Sequence, residues 1–155
     1  MIPADFFPLI LPGAQETQTS AKIPASFTLA QAALESGWGS SQLFTNARNI
    51  FGIKVYPGWT GDVYKLQTHE FQGDKVIMVP ADWCLYGTYA ECIADHARFL
   101  TTEPRYAACF SHPYSGAEFA IEVQKAGYST DPDYAEKISS IIRFYRLTQY
   151  DNAAS

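Results

Sequence analysis

The chain has 155 residues, of which 47% are hydrophobic and 17% are charged, and its formal net charge is -5. This length and composition are typical of one globular domain, so we expect residues 1–155 to form a single domain. The acidic balance, without any block of Lys and Arg, excludes the basic surface of a nucleic-acid-binding protein. No stretch reaches the roughly 18 apolar residues of a membrane-spanning helix, and the first residues lack the pattern of a signal peptide.

The three cysteines do not have the spacing of a metal site or of a disulfide framework. Cys84, Cys92 and Cys109 are odd in number and lie far apart, and they have no zinc-ligand spacing with the three histidines. We expect them to be buried thiols, with a single Cys84–Cys92 disulfide as the alternative outside the cytoplasm. The sequence therefore predicts neither a metal ion nor a cofactor.

The first third of the chain carries the pattern of two helices. Pro8 and Pro12 interrupt the first apolar segment, so a helix is expected after Pro12, and the pattern does not fix its first residue. The second helix is expected to begin near Pro24 and to be followed by Gly37 at a position that takes positive φ. Its predicted buried stripe consists of Phe27, Ala30 or Gln31, Leu34 and Trp38.

Glu35 lies in the last turn of the second helix, one position off the buried stripe, and we interpret it as a catalytic acid. The partial negative charge of a helix C-terminus opposes a carboxylate, and Leu34 and Trp38 supply apolar neighbours. Both effects raise the pKa, and a carboxyl group that keeps its proton near neutral pH is able to donate it. From these residues alone, a solvated glutamate at a helix end explains the pattern equally well.

The next segment is an apolar run at 46–54, followed by a loop rich in Pro and Gly. Trp59 lies in that loop. Its flat indole is suited to stacking on the apolar face of a sugar, and an ordinary packed tryptophan is an equally good interpretation.

A β-hairpin is predicted at 63–79. Residues 63–71 and 75–79 have the composition of strands, and Gly73 lies in the connecting turn. Period-2 alternation puts Thr68 and Glu70 on the same face. By patterning alone, Glu70 is an ordinary surface residue of a strand.

The remainder is expected to be helical. Helices are predicted at 88–100 and 115–126 from the helical spacing of their apolar residues. Asp131 and Pro132 predict the N-cap and the first residue of the last helix. Tyr128 falls on the turn between the last two helices.

Four ordered motifs resemble the glucosaminidase domains of glycoside hydrolase family 73 from bacteria and phages. They are LAQAALESGWG at 29–39, NIFGIK at 49–54, THE at 68–70 and AGYSTDP at 126–132. Their order and spacing are also similar, and the resemblance extends over about residues 5–150.

The resemblance implies an α+β fold that is mainly α, with a lysozyme-like helical domain and a small β-hairpin lobe across a substrate groove. It also implies endo-acting hydrolysis of the β-1,4 bond between N-acetylglucosamine and N-acetylmuramic acid in peptidoglycan. By this resemblance Glu35 is the general acid, Glu70 the hairpin carboxylate and Tyr128 a tyrosine near the cleavage point. The expected substrate-binding residues are Trp38, Asn49, Phe51, Thr68 and, from its place in the loop, Trp59.

Several alternatives remain open at this stage. A muramidase or a lytic transglycosylase on the same scaffold would cut the same strands, and a non-catalytic wall-binding module would only bind them. A retaining, an inverting or a substrate-assisted course of hydrolysis is compatible with two carboxylates on different lobes. The expected partner is the glycan strand, and the protein is expected to act as a monomer on the cell wall, in the periplasm or at the cell surface.

Overall fold

The computed structural model describes residues 1–151, which form six α-helices, two 3₁₀-helices and four short strands. The helices are α1 (Pro3–Ala21), α2 (Ala25–Glu35), α3 (Gln42–Ala47), α4 (Tyr89–Thr102), α5 (Gly116–Lys125) and α6 (Tyr134–Phe144). The strands are β1 (Asp62–Lys65), β2 (Thr68–Gln72), β3 (Lys75–Val79) and β4 (Asp82–Leu85). The 3₁₀-helices, Pro104–Phe110 and Leu147–Tyr150, follow α4 and α6.

Helix α2 lies at the centre of the domain. Every residue from Ala25 to Ala33 is buried, so this helix is enclosed on all sides and not only along the predicted stripe. Helices α1, α5 and α6 pack around it, and its alanines permit their close approach. Because Glu35 is the last residue of this enclosed helix, the core fixes the position of its backbone.

The start of α2 is held by a residue from the far end of the chain. Its N-cap, Pro24, makes no side-chain hydrogen bond. Instead, the N–H and the hydroxyl of Ser26 donate to the two carboxylate oxygens of Asp151, each at 2.7 Å. A Cβ atom on Gly116 would lie 2.1 Å from Oγ of Ser26, so α5 approaches α2 closely only with glycine at this position.

Helix α1 begins earlier than the sequence predicts. The helix expected after Pro12 is present, but it starts at Pro3 and continues through Pro8 and Pro12. Each internal proline removes a backbone hydrogen bond at a local cost of about 3 kcal/mol. Burial of the core-facing side of α1 offsets this cost, and the side chains on that side are Phe6, Ile10 and Ala14.

The start of α6 is also displaced from its predicted position. The helix begins at Tyr134 with Asp133 as its N-cap, so the prediction of Asp131 as N-cap is wrong. The Asp131 carboxylate accepts a hydrogen bond of 2.9 Å from the Asp133 N–H and thereby closes a turn before the helix. The other two predicted starts are confirmed within two residues, because Thr88 and Ser115 cap α4 and α5.

The predicted hairpin is confirmed and continues into a second pair of strands. Strands β2 and β3 are antiparallel, with Glu70 opposite Ile77. Beyond a break in the strands, β1 pairs with β4. The Leu66 N–H donates to the Ala81 carbonyl at 3.2 Å, so the two pairs form one continuous lobe.

The cysteines are buried free thiols, as expected, and the alternative Cys84–Cys92 disulfide is not formed. Burial raises the pKa of Cys92 to about 12, so this thiol is inert near neutral pH. In the described residues, no cluster of three His, Cys, Asp or Glu side chains has a metal-binding arrangement. None of the helices at 1–151 combines the length and apolarity needed to span a bilayer.

Candidate active site

Glu35 is held at the end of α2 by a tight backbone closure. Gly37 and Trp38 both have a φ of 57°, which confirms the prediction of positive φ at Gly37. The Trp38 N–H donates to the Ala33 carbonyl at 2.8 Å, and the Gly37 N–H donates to the Leu34 carbonyl at 3.4 Å. This pair of bonds is a Schellman motif, and it turns the chain sharply away immediately after Glu35.

Trp38 anchors the segment that follows this turn. Its half-buried indole packs edge-on against three aromatic rings of α1 and the end of α6, with centroid distances of 5.1 to 5.6 Å; these rings are Phe6, Phe7 and Tyr145. The contacts keep the chain direction after Glu35 fixed. Direct contact between Trp38 and a substrate stays a prediction.

The Glu35 carboxyl group is accessible to solvent, and its environment raises its pKa. Desolvation of the carboxyl group by the surrounding protein atoms is the main cause, and interaction with the Tyr134 hydroxyl offsets part of the shift. The Tyr134 hydroxyl in turn accepts a hydrogen bond of 2.9 Å from the Gln31 amide. Gln31 lies one helical turn before Glu35, so both side chains meet the same tyrosine.

Tyr128 lies between α5 and α6, where the sequence places it, and its ring packs against Tyr134 at 5.6 Å. Its hydroxyl is 2.9 Å from Nε2 of His96. Burial raises the pKa of Tyr128, and the nearby charge of Glu35 adds to this effect, so the phenol keeps its proton. The structure therefore brings Glu35 and Tyr128 into one group of side chains.

A pocket of about 640 Å³ lies beside Tyr128. The loop before β1 forms one wall and the second half of α4 forms the other. Aromatic rings on its surface suit the apolar faces of sugars, and charged side chains supply polar contacts. The aromatic residues are Phe51, Tyr56, Phe99 and Tyr128, and the charged ones include Lys54, Arg98 and Glu103.

Asn49 supports this pocket from inside the protein. It is fully buried, and its amide nitrogen donates to the carbonyls of Ile53 and Cys84, both at 2.9 Å. Its amide oxygen accepts from the Ile53 N–H at 3.0 Å. These bonds fix the loop that presents Phe51, whose ring stacks on His96 with centroids 4.1 Å apart. Binding of substrate by Asn49 itself stays a prediction.

Glu70 does not itself line this pocket, but its ion-pair partner does. Its exposed carboxylate is 3.9 Å from Nζ of Lys54, and Lys54 lines the pocket. Thr68 precedes Glu70 by two residues and is half-buried. The hairpin lobe thus places a carboxylate next to one lysine of the pocket lining, while its chemical role stays a prediction.

Trp59 packs within its own loop. Its Nε1–H donates to the Asp62 carbonyl at 3.0 Å, and its ring meets Tyr86 edge-on at 5.3 Å. A Cβ on Gly61 would lie 2.5 Å from the indole, so the loop folds tightly over the ring. The structure does not place Trp59 among the residues that line the pocket, and stacking on a sugar stays a prediction.

Three residues of this site escaped the sequence reasoning: Gln31, His96 and Tyr134. Each is buried and polar, which is uncommon for these residue types in a core. The available signals were the spacing of four between Gln31 and Glu35 and the place of His96 on the apolar face of α4. Neither signal identifies a site residue by itself, because the partners, Tyr134 for Gln31 and Tyr128 for His96, are distant in the sequence.

The chain is similar to known proteins over nearly its whole length. The glucosaminidase family model, described as mannosyl-glycoprotein endo-β-N-acetylglucosaminidase, matches residues 11–147. The peptidoglycan hydrolase FlgJ of Salmonella typhimurium is 38% identical over 125 residues, which cover 78% of this chain and 39% of FlgJ. The exo-glucosaminidase LytG of Bacillus subtilis is 38% identical over 130 residues, which cover 81% of this chain and 45% of LytG. The chain thus spans less than half the length of these relatives.

Solved structures show the same architecture. The glycoside hydrolase domain of FlgJ from Salmonella typhimurium superposes with a TM-score of 0.81 at 34% identity, covering 96% of this chain and 91% of that domain. The catalytic domain of the autolysin Auto from Listeria monocytogenes gives a TM-score of 0.83 at 29% identity, covering 96% of this chain and 86% of that one. The predicted fold class, mainly helical with a small β lobe, is confirmed.

Proposed function

The chain belongs to the glucosaminidase family, glycoside hydrolase family 73, and from this membership we propose that it hydrolyses bacterial peptidoglycan. The bond cleaved is the β-1,4 bond between N-acetylglucosamine and N-acetylmuramic acid. Support for the substrate comes from the names of two relatives, a peptidoglycan hydrolase and an exo-glucosaminidase. The family description names a glycoprotein glycan, which shares the N-acetylglucosamine unit.

The observation that carries the proposal is the environment of Glu35. Hydrolysis of a glycoside needs an acid that protonates the leaving oxygen as the bond breaks. Glu35 has a raised pKa, is accessible from solvent and has a fixed backbone position at the end of α2. These three properties together are those of a general acid.

Glu70 and Tyr128 complete the proposed machinery. Glu70 supplies negative charge from the hairpin lobe, and this charge supports the oxocarbenium-like transition state or activates water. Tyr128 touches the substrate near the cleaved bond through its hydroxyl. The aromatic pocket beside Tyr128 holds a sugar of the strand, and Phe51 is one of the rings that line it.

The partner in this proposal is the glycan strand, and the site of action is the cell wall. An endo mode of cleavage requires that the strand continue past the pocket in both directions, whereas an exo mode requires only one. We propose the endo mode and a monomeric enzyme. The length of the products and sedimentation in solution test these two points.

Product analysis tests the reaction itself. Purified peptidoglycan is digested, the new reducing ends are reduced with borohydride, and the sugars are identified by mass spectrometry. A glucosaminidase leaves reduced N-acetylglucosamine, a muramidase leaves reduced N-acetylmuramic acid, and a lytic transglycosylase leaves an anhydro sugar that cannot be reduced. The first result supports the proposal, and either of the others overturns it.

The Glu35→Gln variant tests the assigned acid. The amide is nearly isosteric but cannot donate the proton, so we expect a loss of about a hundredfold to ten-thousandfold in rate. Glu16→Gln is the matched control, because Glu16 is an exposed glutamate of α1. Activity of Glu35→Gln within a few-fold of the control would remove Glu35 from the mechanism.

A further inference from the structure

His96 is a buried imidazole next to the pocket. It lies on α4, is only 6% exposed, and stacks on Phe51 at 4.1 Å with an angle of 22° between the rings. Within the described part of the chain its hydrogen bond joins Nε2 and the hydroxyl of Tyr128, 2.9 Å apart. Burial of a polar ring costs free energy, and this hydrogen bond compensates that cost.

The direction of this hydrogen bond follows from the protonation states of His96 and Tyr128. Burial lowers the pKa of His96 to about 4, with partial compensation by Asp95, so the ring is neutral at neutral pH. Tyr128 keeps its proton because burial raises its pKa. A phenol O–H is a stronger donor than a neutral imidazole N–H, and the unprotonated imidazole nitrogen is a good acceptor. Tyr128 therefore donates and His96 accepts.

We propose that His96 is a positioning residue that holds the phenolic proton of Tyr128 in their shared hydrogen bond, so that the Tyr128 oxygen is left as an acceptor for the substrate. This inference rests on the proposed function. An acceptor at this point recognises a hydrogen-bond donor on the bound sugar or on the attacking water. The acetamido N–H of N-acetylglucosamine is a donor of this kind.

The surroundings hold the imidazole in this role. The stack on Phe51 restricts rotation of the ring, and Asn49 fixes the loop that carries Phe51. His96 and Gln31 also line the same internal cavity of about 10 Å³, so the support of Tyr128 lies next to the support of Glu35. Because His96 is hydrogen-bonded to Tyr128, a change at His96 acts on the orientation of Tyr128, while α2 keeps the backbone of Glu35 in place.

A double-mutant cycle tests the inference. His96→Phe keeps an aromatic ring against Phe51 and removes the acceptor. We expect kcat to fall about tenfold with little change in KM, the order that one hydrogen bond contributes. In the Tyr128→Phe background, the same change at His96 should cause no further loss. Additive losses would mean that His96 acts by another route and would overturn the proposal.

Two further variants separate positioning from packing. His96→Gln retains a hydrogen-bonding side chain that reaches toward Tyr128, and it should recover part of the kcat lost in His96→Phe. His112→Phe is the matched control, since His112 is an exposed histidine whose ring lies 4.0 Å from that of Tyr114. It should leave kcat unchanged. Equal kcat in the Phe and Gln variants of His96 would contradict a hydrogen-bonding role.

A measurement that needs no activity keeps this inference separate from the proposed function. The ¹⁵N NMR shifts of His96 distinguish an unprotonated Nε2 from a protonated one. We expect an unprotonated, hydrogen-bonded Nε2 in the wild type and a shift of this signal in Tyr128→Phe. A protonated Nε2 would overturn the inference. Failure of the wild type to cleave peptidoglycan would overturn the proposed function and leave this result intact.

Discussion

The Gln31 amide donates a hydrogen bond of 2.9 Å to the hydroxyl of Tyr134, and both groups are buried. Because the phenolic oxygen accepts this bond, its own proton is free for the Glu35 carboxylate one helical turn further along α2. Burial keeps that proton on Tyr134 by raising the pKa of the phenol. A residue of α6 thus orients the acid at the end of α2.

Removal of this hydroxyl should change the titration of Glu35. Interaction with the Tyr134 hydroxyl stabilises the carboxylate and so lowers the pKa of Glu35. In Tyr134→Phe the pKa of Glu35 should therefore rise, and the basic limb of the profile of kcat/KM against pH should move to higher pH. We expect a cost of about 1–3 kcal/mol in stability, because the Gln31 amide loses its buried partner. A basic limb that moves to lower pH would contradict this account.

The acid should also destabilise the fold near neutral pH. The folded-state pKa of Glu35 is raised above its ordinary value, so its contribution to stability is fully present below the unfolded-state pKa. That contribution is lost as the pH rises through the folded-state pKa. Glu35→Gln should then have a higher free energy of unfolding than the wild type near pH 8 and no such advantage near pH 3.

Urea unfolding at both pH values measures this effect. Glu16→Gln, on the exposed side of α1, controls for the general effect of removing a negative charge from an acidic protein. An equal gain in the free energy of unfolding for both variants at high pH would show that the buried position of Glu35 does not destabilise the fold. Lower stability of Glu35→Gln than of the wild type at high pH would contradict a raised pKa of Glu35 in the folded state.

Glu35 was predictable from sequence because its signals are local. The helix end, the glycine at 37 and the neighbouring tryptophan all lie within a few residues, and the Schellman closure forms from that same stretch. The partners of Glu35 and Tyr128 were not predictable in this way. Gln31 and Tyr134 are 103 residues apart, and His96 and Tyr128 are 32 apart, so only the packed fold brings them together.

Helix boundaries were predictable from sequence where their cause is local and not where it is tertiary. Ser115 caps α5 with a bond to the Glu118 N–H, and the Glu118 side chain accepts from the Ser115 N–H, a pattern visible in four consecutive residues. The start of α1 does not follow from its own segment because the cost of Pro8 and Pro12 is local while the compensating burial comes from other helices. Stability contributed by distant elements leaves little trace in the segment itself.

His96 should make the fold sensitive to acid. Its folded-state pKa is lowered from 6.5 to about 4, so the unfolded state binds more protons between these values. The contribution of the neutral ring is present above 6.5 and is lost as the pH falls toward 4. The difference corresponds to about 3 kcal/mol.

The comparison of His96→Phe with the wild type isolates this contribution. The free energy of unfolding of the wild type should fall more steeply between pH 6.5 and pH 4 than that of the variant. His112→Phe, which changes an exposed histidine, should keep the slope of the wild type. Parallel curves for His96→Phe and the wild type would show that His96 titrates alike in the folded and unfolded states.

Substitution of Glu70 tests whether the hairpin lobe takes part in the chemistry. Its carboxylate pairs with Lys54 at 3.9 Å, and both side chains are more than half exposed, so the pair adds little to stability. If Glu70 supports the transition state, Glu70→Gln should lower kcat by about a hundredfold, with KM nearly unchanged. The loss should be smaller than in Glu35→Gln, because solvent or the acetamido group of the substrate partly replaces a carboxylate on a separate lobe.

The hairpin supplies its own control for this prediction. Asp82 is another exposed carboxylate of the lobe, and its partner at 2.9 Å is Lys65, which is not among the residues that line the pocket, whereas Lys54, the partner of Glu70, is. Asp82→Asn should therefore leave kcat unchanged, while the loss in Glu70→Ala should be partly reversed by azide, a small anion that enters the vacated space. Equal kcat for Glu70→Gln, Asp82→Asn and the wild type would leave Glu35 as the single carboxylate of the mechanism. That outcome would favour a lytic transglycosylase, which needs one glutamate and releases an anhydro sugar.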